Sequence, residues 1–340
     1  MPNDLGVRIL PAGPAALYLY LEAAPSAETS RTLAALRRRL KPLPWGVREV
    51  IPGYVSLLVE HDPAASQQAL ARWLLERCRD VGEGTPGKDH VLPVRYGLDA
   101  DREELIGRLG LSWDEIVRLH RGARYTVAFL GFTPGFPYLL GLPALLTLPR
   151  RDTPRQRVPA GAVAIAGGQA GVYPAESPGG WWVLGRTEAP LYTPRAEPPT
   201  LLEPGDTVRF KDLRSKHLRG AQTSSRPEPV EPSLEPAVQA MLETAAEPVL
   251  TVVRAWPGSA SLQAAPRWGL GRFGLAQAGA LDPLALGIAN ALVGNREDAL
   301  ALELLAQPLE LLADAPCTLA VAGGGFRLLL DGERAATWRA

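Results

Sequence analysis

Three rhythms of apolar residues run along this chain. In residues 1 to about 88, GVRILPAG and AALYLYLE alternate apolar and polar positions, as half-buried strands do. After Ser26, Leu33, Leu36 and Leu40 recur at helical spacing and share a face. VREVI and YVSLLVEHD return to the strand pattern. Ser66 then precedes a second helical stretch that puts Leu70, Trp73, Leu74 and Cys78 on one side. The order ββαββα predicts a small sheet with helices on one face.

From 89 to 212 the rhythm shortens. HVLPVRYG reads as a strand and DREELIGRLG as a short helix. Ser112-Trp113-Asp114-Glu115 is a capping box that opens a helix running to about Arg121. Five short strands follow between Gly and Pro turns: YTVAFLGF, AVAIAGG, AGVYP, GWWVLGRT and DTVRF. That spacing predicts a barrel or sandwich. One stretch fits neither rhythm. FLGFTPGFPYLLGLP, residues 129–143, is strongly apolar, yet Gly or Pro interrupts it every few residues, so it cannot stay long in strand or helix.

Residues 213–248, with RPEPVEPSLEP at their centre, have the composition of an extended linker, with helix-compatible residues near Met241. Thr223-Ser224-Ser225 belongs to it. A second β-rich unit, 249–340, begins with VLTVVRAW and ends with the strand patterns CTLAVAG and FRLLLDG. Its one good helix, LDPLALGIANALVG, is capped by Asp282 with Pro283 at the first helical position. Four segments are thus expected: 1–88, 89–212, 213–248 and 249–340. The fold class is α+β, mainly β. The first boundary, GEGTPGK at 82–88, has Gly82, Gly87 and Lys88 at the spacing of a phosphate loop. Asp89 stands where Ser or Thr is required, so the stretch reads as a linker.

Composition narrows the function classes. The 340 residues carry 36 Lys and Arg against 36 Asp and Glu, which gives no excess charge for nucleic acid or an anionic membrane. No apolar run approaches the ~20 residues of a membrane span. MPNDLGVRIL lacks the layout of a signal peptide. Cys78 and Cys317 are too few for a disulfide framework, and Cys78 falls on an apolar helical face. A cytoplasmic location is expected. The 34 glycines and 33 prolines favour a turn-rich β architecture.

Candidate chemistry concentrates in two loops. PRRDTPRQRVPAG, 149–161, holds Arg150, Arg151, Arg155 and Arg157 with Asp152 among them. GGQAGVYPAESPGGWWVLGRT, 167–187, adds Gln169, Tyr173, Ser177, Trp181, Trp182 and Arg186. Glycine admits close backbone approach, and proline stiffens the loops. Arginine offers a planar fork to carboxylate or phosphate, while Gln and Tyr offer neutral donors to an amide. The expectation is a rigid pocket for a small anionic or amide-bearing molecule. Trp181 and Trp182 should face opposite sides of their strand. His120 lies on the Trp113, Ile116 and Val117 side of its helix, where an isolated histidine is either packed or a proton-transfer group. No Cys/His cluster has metal spacing, and no Ser-His-Asp pattern is legible.

From about Gly46 to Phe210 the chain resembles the KipI family, which comprises the B-type subunits of 5-oxoprolinase and is also called allophanate hydrolase subunit 1. The carrying residues appear in order: His120, Tyr125, Gly131 to Leu139, Pro149 to Gly161, Gly167 to Pro174, Ser177 to Trp181 and Gly185 to Thr187. The resemblance implies a small α/β domain followed by a cyclophilin-like β-barrel. Residues 250–338 resemble the start of the partner family, KipA, the C-type subunits of 5-oxoprolinase. They do so through Pro257-Gly258, Gln263, Arg267, Gly269, Gly279 to Pro283, Ala289-Asn290, Leu292 to Asn295 and Leu302-Glu303. A partial second cyclophilin-like module is the expectation there. Two positions depart from that family's Gln-Asp-x-Gly-Arg signature: Ala264 replaces the acid and Pro266 the glycine. In the first half, Ala162 and Ala170 replace hydroxyl residues.

The resemblance implies a component of an ATP-dependent 5-oxoprolinase that opens 5-oxo-L-proline to L-glutamate. ATP is implied for the complex, and the chain is expected to be inactive alone. The implied partners are an A-type subunit of 5-oxoprolinase and a complete C-type one, or the remainder of one. Phosphorylation of the lactam carbonyl would make a stable amide labile. The expected catalytic residues are His120, Arg155 and Arg157. Thr133, Tyr138, Gln169, Tyr173 and Arg186 are expected to bind substrate. Two alternatives accompany this reading: the carboxyltransferase component of a biotin-dependent, urea-type carboxylase, and a KipI-like histidine-kinase inhibitor without catalysis. A biotin role would need other chains, because Met1 and Met241 are the only methionines and no Met-Lys-Met biotinylation site is present.

Overall fold

The computed structural model describes residues 6–79, 84, 87–98, 100–213, 250–255, 260–304, 309–324 and 327–335. The expected linker from 214 onward, with Thr223-Ser224-Ser225 and the stretch near Met241, lies outside the described residues, as does Pro257-Gly258. The chain divides into two compact units. One comprises residues 1–221 with 268–276; the other comprises 222–267 with 277–340.

The first unit opens with β1 (Val7–Pro11), β2 (Ala16–Leu21), α1 (Ala27–Arg39), β3 (Val47–Pro52), β4 (Ser56–His61) and α2 (Gln67–Cys78), the expected ββαββα order. The strands pair antiparallel in the order β1-β2-β4-β3. Alternation turns Leu17, Leu19 and Leu21 of β2, and Leu57 and Val59 of β4, toward the helices. There they meet Leu33, Leu36, Leu70, Leu74 and Cys78. Ser26 caps α1 by accepting from the Thr29 amide at 3.0 Å, and Ser66 caps α2. Cys78 is buried, and its thiol is pushed up to about 11 by that burial.

Next come β5 (Asp89–Tyr96), α3 (Arg102–Leu109), α4 (Trp113–Gly122), β6 (Tyr125–Leu130), β7 (Pro137–Leu140), β8 (Arg155–Val158), β9 (Ala162–Ala166), β10 (Gln169–Val172), β11 (Ser177–Gly179), β12 (Trp182–Arg186) and β13 (Thr207–Asp212). Seven of these strands close a barrel in the order β10-β7-β6-β13-β5-β12-β9. Its first and last strands, β5 and β13, lie side by side and parallel. Strands β8 and β11 form a separate two-stranded ribbon. The capping box at Ser112 and Glu115 is present.

One sequence expectation needs correction here. The Gly/Pro-rich run contributes a short strand, Pro137–Leu140, to the barrel as β7. The stretch read as an arginine loop also contains a strand, Arg155–Val158. Gly and Pro at both ends made these four-residue strands look like loop.

The barrel wall has two packed faces. Val163, Ile165, Ala170, Val172, Trp182 and Leu184 point into the interior with Leu92, Val94, Tyr125, Val127 and Phe210. Ala162, Ala164, Ala166 and Val183 face outward and pack with Phe136, Val158, Tyr173 and Trp181. Trp181 and Trp182 therefore do face opposite sides, and both are buried.

In the second unit, β14 (Leu250–Ala255), β15 (Ala260–Gln263), α5 (Pro283–Leu292), β16 (Ala301–Leu304), β17 (Leu309–Ala313), β18 (Leu329–Leu330) and β19 (Glu333–Arg334) form three two-stranded pairings among the described residues: β14 with β17, β15 with β16, and β18 with β19. The Asp282 side chain caps α5 by accepting from the Ala285 amide at 2.9 Å. CTLAVAG is not a strand, and among the described residues of FRLLLDG the strand is Leu329–Leu330. Glu303 accepts from the Leu281 amide at 2.6 Å. Buried Asn290 donates to the Ala299 carbonyl at 2.9 Å. Both residues hold loops in place. The departure at Ala264 sits in a backbone pairing with Ala280, whose amide donates to the Ala264 carbonyl.

Candidate functional site

On the outer face of the barrel wall, small residues make a shelf for large rings. A Cβ on Gly171 would stand 2.8 Å from Phe136 and 3.0 Å from Trp181, so glycine lets both rings lie directly on the strand. Around them the rings of Tyr138 and Phe129 stack at 4.5 Å, and Tyr173 meets Phe136 edge-on at 5.1 Å. Tyr54, from the β3–β4 turn of the small sheet, meets Phe129 edge-on at 4.6 Å. The Gln169 side-chain amide donates to the Tyr54 hydroxyl at 2.5 Å. Burial raises the pKa of the Tyr54, Tyr138 and Tyr173 hydroxyls, with Tyr173 reaching about 12, while the charge of Arg150 pulls each of them back. Arg150 is exposed at the edge of this face. The result is an aromatic surface with neutral hydroxyl and amide donors, under the positive charge of exposed Arg150.

Phe132 stands at its border, 60% exposed and in the left-handed region at φ 68°. A bulky residue rarely adopts that backbone conformation. Its neighbour Thr133 has a buried hydroxyl with no hydrogen-bond partner among the described residues.

Of the expected substrate-binding residues, Tyr138, Tyr173 and Gln169 come together on this face, and Thr133 lies on the loop beside it. The others go elsewhere. Arg155 is bound to Asp101, a carboxylate that is 2% exposed. Asp101 accepts from Arg155 through both oxygens, from Arg151 Nη1 at 2.8 Å, and from the Val183 amide at 2.8 Å. Arg151 also lies 4.7 Å over the Trp182 ring, and Arg108 lies 4.8 Å from it. Arg157 is 83% exposed in its side chain and 3.7 Å from Glu176. Arg186 donates to the Ala160 carbonyl at 2.8 Å, beside the turn at Gly161. The forks read from sequence as an anion site are thus largely engaged within the protein. Arg150 is exposed, and its charge lowers the pKa of all three tyrosines.

His120, expected to transfer protons, does not join them. It is fully buried in the barrel interior, stacked on Phe210 at 4.6 Å and hydrogen-bonded through Nδ1 to the Tyr96 hydroxyl at 2.7 Å. Its Nε2 has no partner among the described residues. Desolvation lowers its pKa to about 3, so the ring is neutral near pH 7.

Sequence reasoning missed Asp101, Tyr54, Phe129, Phe132 and Phe136. The Phe-x-x-x-Phe-x-Tyr pattern at 132–138 was the available signal for the last two. Asp101 could have been found as the acid that precedes a helix and answers the arginine loop. A shallow surface hollow lies elsewhere, lined by Arg118, Arg121, Arg209 and Lys211. Arg209 there is paired with Asp89 at 2.7 Å. No group of metal-binding side chains and no helix long and apolar enough to cross a membrane occurs among the described residues.

In the described part of GEGTPGK, Asp206 accepts from the Lys88 amide at 2.8 Å and pairs with His90 at 3.0 Å, so a carboxylate of this chain already occupies the Lys88 amide.

Residues 7–202 match the family described as carboxyltransferase domain, subdomain C and D, and residues 273–340 match carboxyltransferase domain, subdomain A and B. The chain belongs to the carboxyltransferase-domain family. It is 39% identical over 204 residues to the B-type subunit of 5-oxoprolinase from Escherichia coli O157:H7, covering 58% of this chain and 92% of that protein. It is 37% identical over 200 residues to the protein of the same name from Bacillus subtilis (strain 168), covering 54% and 83%. Among solved structures, that of TTHA0988 is 36% identical with a TM-score of 0.69. The match covers 88% of this chain, which spans 57% of the length of TTHA0988. The urea amidolyase of K. lactis, at 20% identity and a TM-score of 0.51 over 61% of this chain and 15% of that one, shares the fold of this carboxyltransferase-domain family.

Two outcomes follow from these environments. Asp101→Ala would leave Arg151 and Arg155 facing each other over an unpaired Val183 amide. Denaturant titration should show a loss of about 3–5 kcal/mol. For His120, the folded pKa lies below the unfolded value of about 6.5, so the unfolded chain gains a proton as pH falls while the folded chain does not. Stability should drop between pH 6.5 and 3. In His120→Gln, the difference in unfolding free energy between pH 7 and pH 5 should be smaller than in the parent protein by about 2 kcal/mol.

Proposed function

We propose that this chain is a KipI-type component of a 5-oxoprolinase assembly and that its aromatic face binds the lactam. The observation that carries the reading is the meeting of Tyr54, Tyr138 and Gln169 on one aromatic surface, under the charge of exposed Arg150, in a chain 36–39% identical to proteins named as B-type subunits of 5-oxoprolinase. A five-membered lactam presents a flat ring edge, one amide and one carboxylate. Aromatic rings suit the ring, and the amide and hydroxyl donors suit the carbonyl. Exposed Arg150 suits the carboxylate. Hydrolysis of so stable an amide needs activation of its carbonyl. In this reading ATP is handled by partner chains, the A-type and C-type subunits of 5-oxoprolinase, and the assembly works in the cytoplasm.

Carboxyl transfer is the second reading, favoured by the family description itself. Its substrate face would be the same, with a carboxylated carrier arriving from another chain.

Isothermal titration of the purified chain with 5-oxo-L-proline should show binding. Arg150→Gln and Gln169→Leu should each weaken it at least fivefold. Glutamate should be released only when the partner chains and ATP are added. No detectable binding by the chain, alone or in the assembly, would sink the lactam reading. ATP-dependent glutamate release by the chain alone would overturn the partner requirement.

A further inference from the structure

Residues 268–276 lie far along the chain from the barrel, yet they pack with the first unit. They form a tight turn, with a 3-10 segment at Gly271–Phe273 and Gly274 in the left-handed region at φ 77°. Phe273 is 1% exposed and belongs to the barrel's interior cluster, with Leu270 and Leu275 packed against its edge. The Glu49 carboxylate of β3, 3% exposed, accepts from the Gly271 amide at 2.5 Å, and the Gly269 and Arg272 amides also act on it. Trp268 lies 4.8 Å from the Arg48 guanidinium.

The turn also touches the strained loop. The Gly135 amide, at φ 79°, donates to the Phe273 carbonyl at 2.9 Å. A Cβ on Gly274 would stand 3.0 Å from the Gly131 nitrogen and 3.0 Å from the Thr133 carbonyl. Residues 131–136 therefore lie between the aromatic face on one side and the turn on the other. Phe132 keeps its left-handed backbone inside that loop, and such a conformation persists only where surrounding contacts over-determine it.

We infer that residues 268–276 are a docking turn, that Glu49, the Ile51 side chain packed against Gly271 and the 131–135 loop form its dedicated seat, and that seating this turn positions Phe132, Thr133 and Phe136 for the aromatic face. Phe273 and Gly274 are thus positioning residues for that face. The seat recognises a glycine-flanked Arg-Phe turn. A buried carboxylate takes the backbone amides, an apolar socket takes the Phe ring, and a backbone approach only glycine permits takes position 274. The consequence for ligand affinity rests on the lactam reading above; the docking itself does not.

Hydrogen exchange on the full chain tests this. In Gly274→Ala and Phe273→Ala, amide exchange across residues 131–136 should speed up at least tenfold, while β2 and β4 exchange at the parent rate. Phe273→Leu, which keeps an apolar side chain, should stay within about threefold of the parent. A synthetic peptide spanning residues 266–277, added to Gly274→Ala at millimolar concentration, should restore protection, and the same peptide with Ala for Phe should not. Unchanged exchange at 131–136, acceleration throughout the first unit, or no rescue by the peptide would each overturn the inference. Titration with 5-oxo-L-proline separates the two readings. If both positioning variants lose loop protection and at least fivefold in affinity, both readings stand. If loop protection falls but even the parent protein binds no lactam, the docking turn stands and the lactam reading fails.

Discussion

A single buried carboxylate organises the wall on which everything else rests. Asp101 has almost no solvent, and an isolated charge there would cost several kcal/mol. Its partners come from three places. Val183 of β12 supplies an amide, and the loop before β8 supplies Arg151. Arg155, at the start of β8, supplies a fork. Asp101 also donates its own amide to the Val183 carbonyl at 2.9 Å, so backbone and side chain grip the same strand. The N-terminal end of α3, the barrel wall and the outer ribbon are thereby fixed to one point. The ring of Trp182 is held by the same set, with its Nε1 donating to the Pro149 carbonyl at 2.7 Å.

That wall serves two cores at once. Alternation sends Val163 and Ile165 inward and Ala162, Ala164 and Ala166 outward. The outward residues of β9 are all alanine, and their size has a consequence. Large aromatic side chains can lie flat against the strands only where no branched residue lifts them away. Ala162 and Ala170 are both fully buried, one on each face. A hydroxyl at either position would need a hydrogen-bond partner inside a packed cluster. Alanine removes that demand and keeps the shelf flat.

The sequence was legible where one periodicity governs a segment long enough to show it. The ββαββα unit, the helix caps with the capping box at Ser112, and the strands from YTVAFLGF to DTVRF follow local rules of alternation and capping, and the structure places them as read. Strands β7 and β8 were not legible, because four residues between Gly and Pro show less than two full alternations. Arg155 looked free because its partner, Asp101, is 54 residues away and also reads as a routine residue before a helix. His120 fitted two readings because helical spacing fixes its side of α4 but not what covers it; Phe210, which stacks on it, comes from the last barrel strand. The turn at 268–276 had no local signal at all. Its seat is made by residues more than 130 positions earlier, and only the folded chain brings Glu49 to Gly271.

The ionisable groups on the aromatic face limit what that face can do. A group that moves protons at neutral pH works best with a pKa near 7. The tyrosines here are pushed the other way: burial holds Tyr54, Tyr138 and Tyr173 protonated, and Tyr173 would release its proton only near 12. They can donate hydrogen bonds across the whole physiological range, and a donor that never titrates is well suited to holding a carbonyl in one place. Arg150 adds a positive charge beside them. His120, the residue whose ordinary pKa best suits a base, is kept neutral inside the barrel, on the other side of the wall. The described groups on this face therefore have the chemistry of recognition and orientation. In an assembly that opens a lactam, such a face would fix the ring and polarise its carbonyl, and the groups that gain and lose protons or phosphoryl would approach from a neighbouring chain.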